Sequence, residues 1–281
     1  MQAPLIKQGW LRVIIYFILL MLVAFSVSFL ASEYISTLIE DNDTKFFISY
    51  ILVAASFIGL TVLAKKHIDR QPLSTLGLEW KKHKEDGAMG LFTSTTLLAI
   101  GTIVLLVTHQ LVYTGVGTDF TGLFIQLGLM LMVSFSEEIV FRGYILYNLM
   151  ESANKYTALI ISAVLFAVVH ASNPNAGILP IVNVFLAGVL LGINFIFTRN
   201  LAFAIMLHLG WNFMQGAILG YEVSGIDTPN LLQQYISGND LWTGGEFGFE
   251  GSLLCTVLLV MAVAIWWYLF SLKYKTVKKA A

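Results

Sequence analysis

Three ionisable side chains fall in one short run, Ser136-Glu137-Glu138-Ile139-Val140-Phe141-Arg142-Gly143, inside a stretch that is otherwise largely apolar from Leu123 to Leu149. If that stretch crosses a bilayer, each charge costs at least about 2.5–3.5 kcal/mol even on the mildest insertion scale, so a function is the default reading. Glu138 and Arg142 are four residues apart with the acid N-terminal, the favoured orientation for an ion pair on one helix face. Glu137 lies about 100° round the helix from Glu138 and has no local partner. A purely structural role leaves that acid unexplained.

Two more polar constellations follow. Phe166-Ala167-Val168-Val169-His170 puts an aromatic ring and a histidine one turn apart, and His208-Leu209-Gly210-Trp211-Asn212 does the same for a histidine and an asparagine. One histidine in an apolar helix is usually a packing residue. Two of them and an unpaired acid, each on a different helix, point to chemistry instead. A buried Glu, Arg and His set also suits a proton relay in a transporter, or a non-catalytic immunity or scaffold protein. Gly188-x-x-x-Gly192 permits close helix packing in any of these. No inverted repeat relates the two halves, which argues against a transporter.

The elements that must position these residues are set by composition. Of 281 residues 57% are apolar and only 12% charged, and the mean hydropathy is +0.79. That is an integral membrane protein, since a soluble domain carries about 25% charged residues. A net charge of −1 gives no basic excess for nucleic acid. The single cysteine, Cys255, excludes an intrachain disulfide and any multi-cysteine metal site.

The expected fold is all-α with eight transmembrane helices, near Val13–Ala31, Phe46–Ala64, Met89–Tyr113, Thr121–Leu149, Tyr156–Ser172, Ala176–Phe197, Leu201–Gly220 and Gly251–Leu272. Each approaches the roughly 17–25 residues a span needs. Residues 1–120 would hold the first three helices, 121–220 the polar core, and 221–281 a long loop and the last helix. With eight alternating spans, Lys7, Arg12, Lys65, Lys66, Arg70, Lys81, Lys82, Lys84, Lys155, Arg199, Lys273, Lys275, Lys278 and Lys279 share one side. The opposite loops are acidic and hold only Lys45 among basic residues, so both termini are expected in the cytoplasm of a plasma-membrane protein. Residues 71–86 read equally as an interfacial segment anchored by Trp80 or as a solvated basic loop, and residues 221–250 as a lid, a re-entrant segment or an exposed loop.

Taken in order, Glu137-Glu138-x-x-x-Arg142, Phe166-x-x-x-His170 and His208-x-x-x-Asn212 resemble the motifs of the CAAX-protease and bacteriocin-processing (CPBP, or Abi) intramembrane endopeptidases, relatives of the type II CAAX prenyl endopeptidase. The resemblance covers roughly Thr121–Gly220. It implies hydrolysis of a peptide bond within the membrane near the cytoplasmic face, on a peptide or protein substrate that can be lipidated. On the family pattern Glu137 is the general base, His170 helps hold the water, and His208 with Asn212 faces the oxyanion. Glu138 and Arg142 then form a supporting ion pair, and Phe166 is a further supporting residue. From the residues alone the roles of the two acids are interchangeable. No cofactor is expected. Zinc bound by Glu137, His170 and His208 is the alternative, disfavoured because it leaves no evident base except the paired Glu138.

Depth adds one condition. Glu137 and His170 are equidistant from a turn centred between Ala153 and Asn154, so antiparallel helices joined there bring them level. His208 is only about eight residues past Asn200, so the Ala153–Asn154 turn must protrude further than the turn before His208.

Overall fold

The computed structural model describes residues 3–280. Among these, eight long helical segments succeed one another. Helix α1 (Gly9–Leu30) runs on through a π-helical turn, Ala31–Ile35. Helix α2 (Asn42–His67) starts at Asp41, whose side chain accepts from the Thr44 amide. It ends on Lys65, Lys66 and His67, and the two lysines suit the negative end of a helix dipole. Helix α3 spans Trp80–Val107. Helix α4 (Phe120–Glu138) starts at the cap Asp119 and continues as a π-helix, Ile139–Leu146. Helix α5 (Lys155–His170) is capped by Asn154, which accepts from the amides of Tyr156 and Thr157. Helices α6 (Ile178–Ile193), α7 (Ala202–Asn212, extended by the π-helix Phe213–Ile218) and α8 (Leu253–Ala280) complete the set.

The all-α polytopic fold fits, with one short two-stranded ribbon between loops: β1 (Leu111–Val116) pairs antiparallel with β2 (Leu232–Ile236), from Leu111 opposite Ile236 to Val116 opposite Leu232. The third apolar segment therefore breaks after Val107, and its last residues become a strand tied to the long loop. By length and composition six helical stretches can cross a membrane, Gly9–Ile35, Thr44–His67, Leu73–Val107, Phe120–Leu149, Ile178–Thr198 and Leu253–Tyr274. Helices α5 and α7 are shorter than those six, so eight spans exceed what length alone supports. Six apolar spans make this an integral membrane protein.

Small residues let the helices that carry the polar motifs approach closely. A Cβ on Gly90 of α3 would lie 2.2 Å from the Phe203 carbonyl oxygen of α7. One on Gly188 of α6 would lie 3.1 Å from the Ala163 Cα of α5. At the end where the basic residues gather, fully buried Asp69 accepts from Tyr144 Oη at 3.1 Å and Asn148 Nδ2 at 3.2 Å. It also pairs with Arg12 at 3.2 Å and Lys65 at 3.1 Å, and Arg12 pairs in turn with Glu151. Burial of that many charges is tolerable only because they are mutually paired. The knot ties α1, the end of α2 and the end of α4 together.

The segment before α3 is a packed wedge. A 3₁₀ turn, Leu73–Leu76, leads to Gly77 at φ +87°, a left-handed conformation that suits glycine. The Gly77 carbonyl accepts from the Leu201 amide at 2.8 Å, and Leu76 is buried. Leu76 and Gly77 are buried, whereas Leu73 and Trp80 are exposed.

Candidate active site

The motif residues converge on one cavity of about 180 Å³, lined among others by Glu137, Phe166, His170, His208 and Asn212. The depth condition is met by the wedge. A Cβ on Gly143 would lie 3.2 Å from the Leu76 carbonyl and 3.5 Å from Leu201 Cδ1, so Gly143 of α4 and Leu201 before α7 share a level. Glu137 is six residues from Gly143 and His208 is seven from Leu201, which brings both to one height. The α4–α5 turn protrudes past that level.

The two acids are not equivalent. Glu138 is fully buried, and its Oε1 accepts from Arg142 Nη1 at 2.9 Å and faces His208 Nδ1 at 2.9 Å. Arg142 is itself buried, and its Nη2 donates to the Gly188 carbonyl at 2.9 Å. Its guanidinium carbon lies 4.5 Å from the centre of the Phe166 ring. Glu137 instead reaches the cavity with its side chain 22% exposed. Its Oε2 is enclosed, makes no hydrogen bond, and lies 3.9 Å from the Nε2 atoms of both His170 and His208.

The orientation of both imidazoles is fixed from behind. His170 Nδ1 lies 2.9 Å from the Phe166 carbonyl, which only accepts, so Nδ1 carries a proton there. In the neutral ring, Nε2 then presents a lone pair to the cavity. The Phe166 ring is 4.4 Å from that of His170 and 6.2 Å from that of His208, filling the space beneath both. His208 faces the Glu138 carboxylate through Nδ1, so its Nε2 also turns inward.

Those three inward atoms are the donor set zinc would need. Donors bound tetrahedrally at about 2.0–2.1 Å lie about 3.3 Å apart, tighter than the 3.9 Å separations seen. No cluster of three His, Cys, Asp or Glu side chains among the described residues has metal-binding geometry. Both separations from Glu137 are thus longer than those of a closed tetrahedral zinc site.

Sequence reasoning missed a third acid. Glu250 lines the cavity, its Oε1 accepting from Trp211 Nε1 at 2.8 Å and its Oε2 from Ser224 Oγ at 2.5 Å. Burial pushes its carboxyl above the ordinary carboxylate range, against the Ser224 hydroxyl and the nearby His170, which pull it down. No spacing signals this residue, because it stands in a loop read only as acidic. Its partner Trp211 follows His208 by three residues on the same helix, so the helix that supplies the histidine also holds the loop.

Together these features define a polytopic membrane protein with a cavity between facing helices in which the polar motif residues meet an otherwise largely apolar wall. Residues 119–214 match the family model described as Type II CAAX prenyl endopeptidase Rce1-like, and this match supports assignment of the chain to the CPBP/CAAX-protease family. The matched region contains every motif residue from Glu137 to Asn212, whereas Ser224 and Glu250 lie beyond it. Comparisons with curated proteins and with solved structures give no match.

Proposed function

We propose that this protein is an intramembrane endopeptidase in which Glu137 and His170 hold and activate a water while His208 and Asn212 face the oxyanion. The observation that carries the reading is the enclosed Glu137 Oε2, free of hydrogen bonds and equally distant from two Nε2 atoms. A water placed among them donates to Glu137 and to His170 Nε2. As the water oxygen bonds to the scissile carbonyl carbon, Glu137 takes its proton. Asn212 and His208, in its imidazolium form beside the Glu138 carboxylate, donate to the oxyanion. Collapse of the tetrahedral intermediate breaks the C–N bond, and the proton on Glu137 passes to the departing amine. A free carboxyl group and a free amine result.

The asymmetry between the acids supports this assignment over its exchange, since Glu138 already serves Arg142 and His208. The family match supports the class of reaction and a peptide or protein substrate. A lipidated CAAX protein, a leader peptide or a small secreted signal peptide fits that chemistry. The reading places the protein in the plasma membrane with both termini cytoplasmic. Purified protein, screened against a peptide library in detergent, should cut at least one sequence, and Glu137→Gln should cut none while keeping the wild-type melting profile. Equal turnover by the two, or no turnover by the wild type, would reject the assignment; the latter outcome is the one a transporter or an immunity protein gives.

A further inference from the structure

The two imidazoles of the site stand on helices with little direct hold on one another. Helix α5 packs chiefly on α6 and on the π-helical end of α4, whereas α7 packs chiefly on α3 and α4. Yet the Nε2 atoms of His170 and His208 are both 3.9 Å from one oxygen of Glu137. Spacing that even needs a tie between α5 and α7 near the histidines. On the N-terminal side of His170 the Phe166 ring serves, 4.4 Å from the ring of His170 and 6.2 Å from that of His208.

On the C-terminal side the tie runs through an acid that the motifs do not include. Three residues past His170, Asn173 donates its amide to the His170 carbonyl at 3.1 Å and its Nδ2 to the Ser224 carbonyl at 3.2 Å. Ser224 Oγ donates to Glu250 Oε2 at 2.5 Å. Three residues past His208, Trp211 donates through Nε1 to Glu250 Oε1 at 2.8 Å. One carboxyl group thus joins the end of α5 to α7, at the same offset from each histidine. His170, Asn173, His208, Trp211, Ser224 and Glu250 all line the cavity.

Both sides of this bridge are anchored. Ser224 and Gly225 stand at φ +51° and +80°, the centre of a tight turn in which Val223 and Ile226 exchange backbone hydrogen bonds at 2.9 and 3.0 Å. Glycine adopts such angles freely and serine at a cost, and strain of this kind persists where the surroundings over-determine it. At Ser224 they do, since Asn173 takes its carbonyl and Glu250 its hydroxyl. A Cβ on Gly225 would lie 2.0 Å from the Pro174 carbonyl oxygen, so the turn is seated on the residue after Asn173. The Glu250 carbonyl accepts from buried Asn183 of α6 at 2.6 Å, which fixes where the side chain starts. The cavity lining holds no Lys or Arg, and the two donors that meet Glu250 are neutral, an indole N–H and a hydroxyl.

Resting on the endopeptidase reading, we infer that Glu250 is a positioning residue: by bridging Ser224 and Trp211 it sets the distance between His170 and His208. It thereby places the histidine that holds the water relative to the one that faces the oxyanion.

The test uses the purified full chain in detergent and the peptide found by the library screen. Glu250→Ala should lower kcat on the order of 10²-fold, the effect of a misplacement of about 1 Å, with KM little changed. Glu250→Gln should recover most of that loss, because its carbonyl accepts from Trp211 and its amide donates to the Ser224 hydroxyl. Glu250→Asp keeps the charge but is one methylene too short for both partners, and should stay slow. Trp211→Phe keeps a ring, loses only the N–H, and should cost no further kcat in the Glu250→Ala chain. Should Glu250→Ala not fold, Trp211→Phe alone takes its place, with the same fall in kcat expected. Backbone hydrogen exchange gives a readout that needs no peptide: Glu250→Ala, or Trp211→Phe in its place, should expose the amides of Asn173 and residues 223–226, and Glu250→Gln should not. Wild-type kcat in the bridge-breaking variant overturns the inference. So does a Glu250→Gln chain as slow as Glu250→Ala or a Glu250→Asp chain as fast as the wild type, since either assigns the effect to charge. Exchange that rises equally in every helix also overturns it, as a general loss of packing. If the wild type cuts no peptide, the endopeptidase reading falls, and the exchange contrast still decides the bridge: present, it stands, and absent, it falls too.

Discussion

At the scale of single residues, the division of labour between adjacent acids sets the sharpest expectations. Glu138→Gln should lower thermal stability, because it leaves Arg142 buried without its charge partner, a loss of about 3–5 kcal/mol for a broken buried pair. Glu137→Gln should leave the melting temperature unchanged. Thermal melts of the two variants in one detergent read the difference directly, and equal losses would mean that Glu137 is structural too. His208→Ala and Asn212→Ala should each lower kcat by about 10²–10³, with the double variant losing less than the product if both serve one oxyanion. Activity of the wild type should survive exhaustive chelation, since the inward atoms of Glu137, His170 and His208 are spaced for a water. Much of this was legible in the sequence. The Glu138–Arg142 pair follows from i, i+4 spacing alone, and the isolation of Glu137 follows from the same helix geometry. The hydrogen bond from His208 to Glu138 was not legible, because it joins residues 70 apart in the chain. Nor was the part played by Glu250, since an acid in a polar loop looks like any other until its partners Trp211 and Ser224 are seen.

At the scale of elements, both principal site helices change character at their functional residues. Helix α4 becomes π-helical immediately after Glu138, and α7 does so immediately after Asn212. Such segments leave backbone groups in need of partners and recur at functional sites; here the Phe141 carbonyl accepts from Ser162 Oγ at 2.9 Å. Hydropathy reports apolar spacing and cannot see a change of hydrogen-bond register, which is why these segments were not foreseen. A short apolar run is equally silent about helix against strand, which is why the third expected helix, Met89–Tyr113, takes in Leu111–Tyr113 of β1. The packing of α3 on α7 has a testable consequence. Gly90→Ala would drive its Cβ to within 2.2 Å of the Phe203 carbonyl oxygen and 3.0 Å of the Leu207 amide nitrogen. Backbone has to yield, and the helix that moves carries His208 and Asn212. Gly90→Ala should therefore lower both melting temperature and kcat. Gly59→Ala, with nothing within 4 Å of its Cβ, should change neither. A Gly90→Ala protein with wild-type kcat and stability would show that α7 is free to shift without consequence for the site.

At the scale of the whole molecule, the open question is whether the two short helices cross. Helix α5 holds 16 residues, roughly 24 Å of rise, short of the ~30 Å hydrocarbon thickness. Its ends nevertheless reach opposite sides of the fold. The turn before it carries Glu151, bound to Arg12 in the buried knot, and the turn after it carries Asn173, bound to Ser224 of the long loop. Helix α7 begins on the wedge at Gly77, and just past its end Tyr221 Oη lies 3.1 Å from Thr102 Oγ1, five residues before the end of α3. Each is thus tied at one end to residues near the basic loops and at the other to residues of the acidic loop. Eight crossings put every basic loop on one face, in agreement with the positive-inside rule; six would scatter them. Reporter fusions at Lys82 and at the C-terminus should accordingly read cytoplasmic, and a fusion at Asp227 should read external. The Asp227 fusion is the decisive one, because the loop that bears it lies after α5, α6 and α7, and a single missed crossing among them reverses its side. A cytoplasmic signal there would remove α5 or α7 from the count of spans.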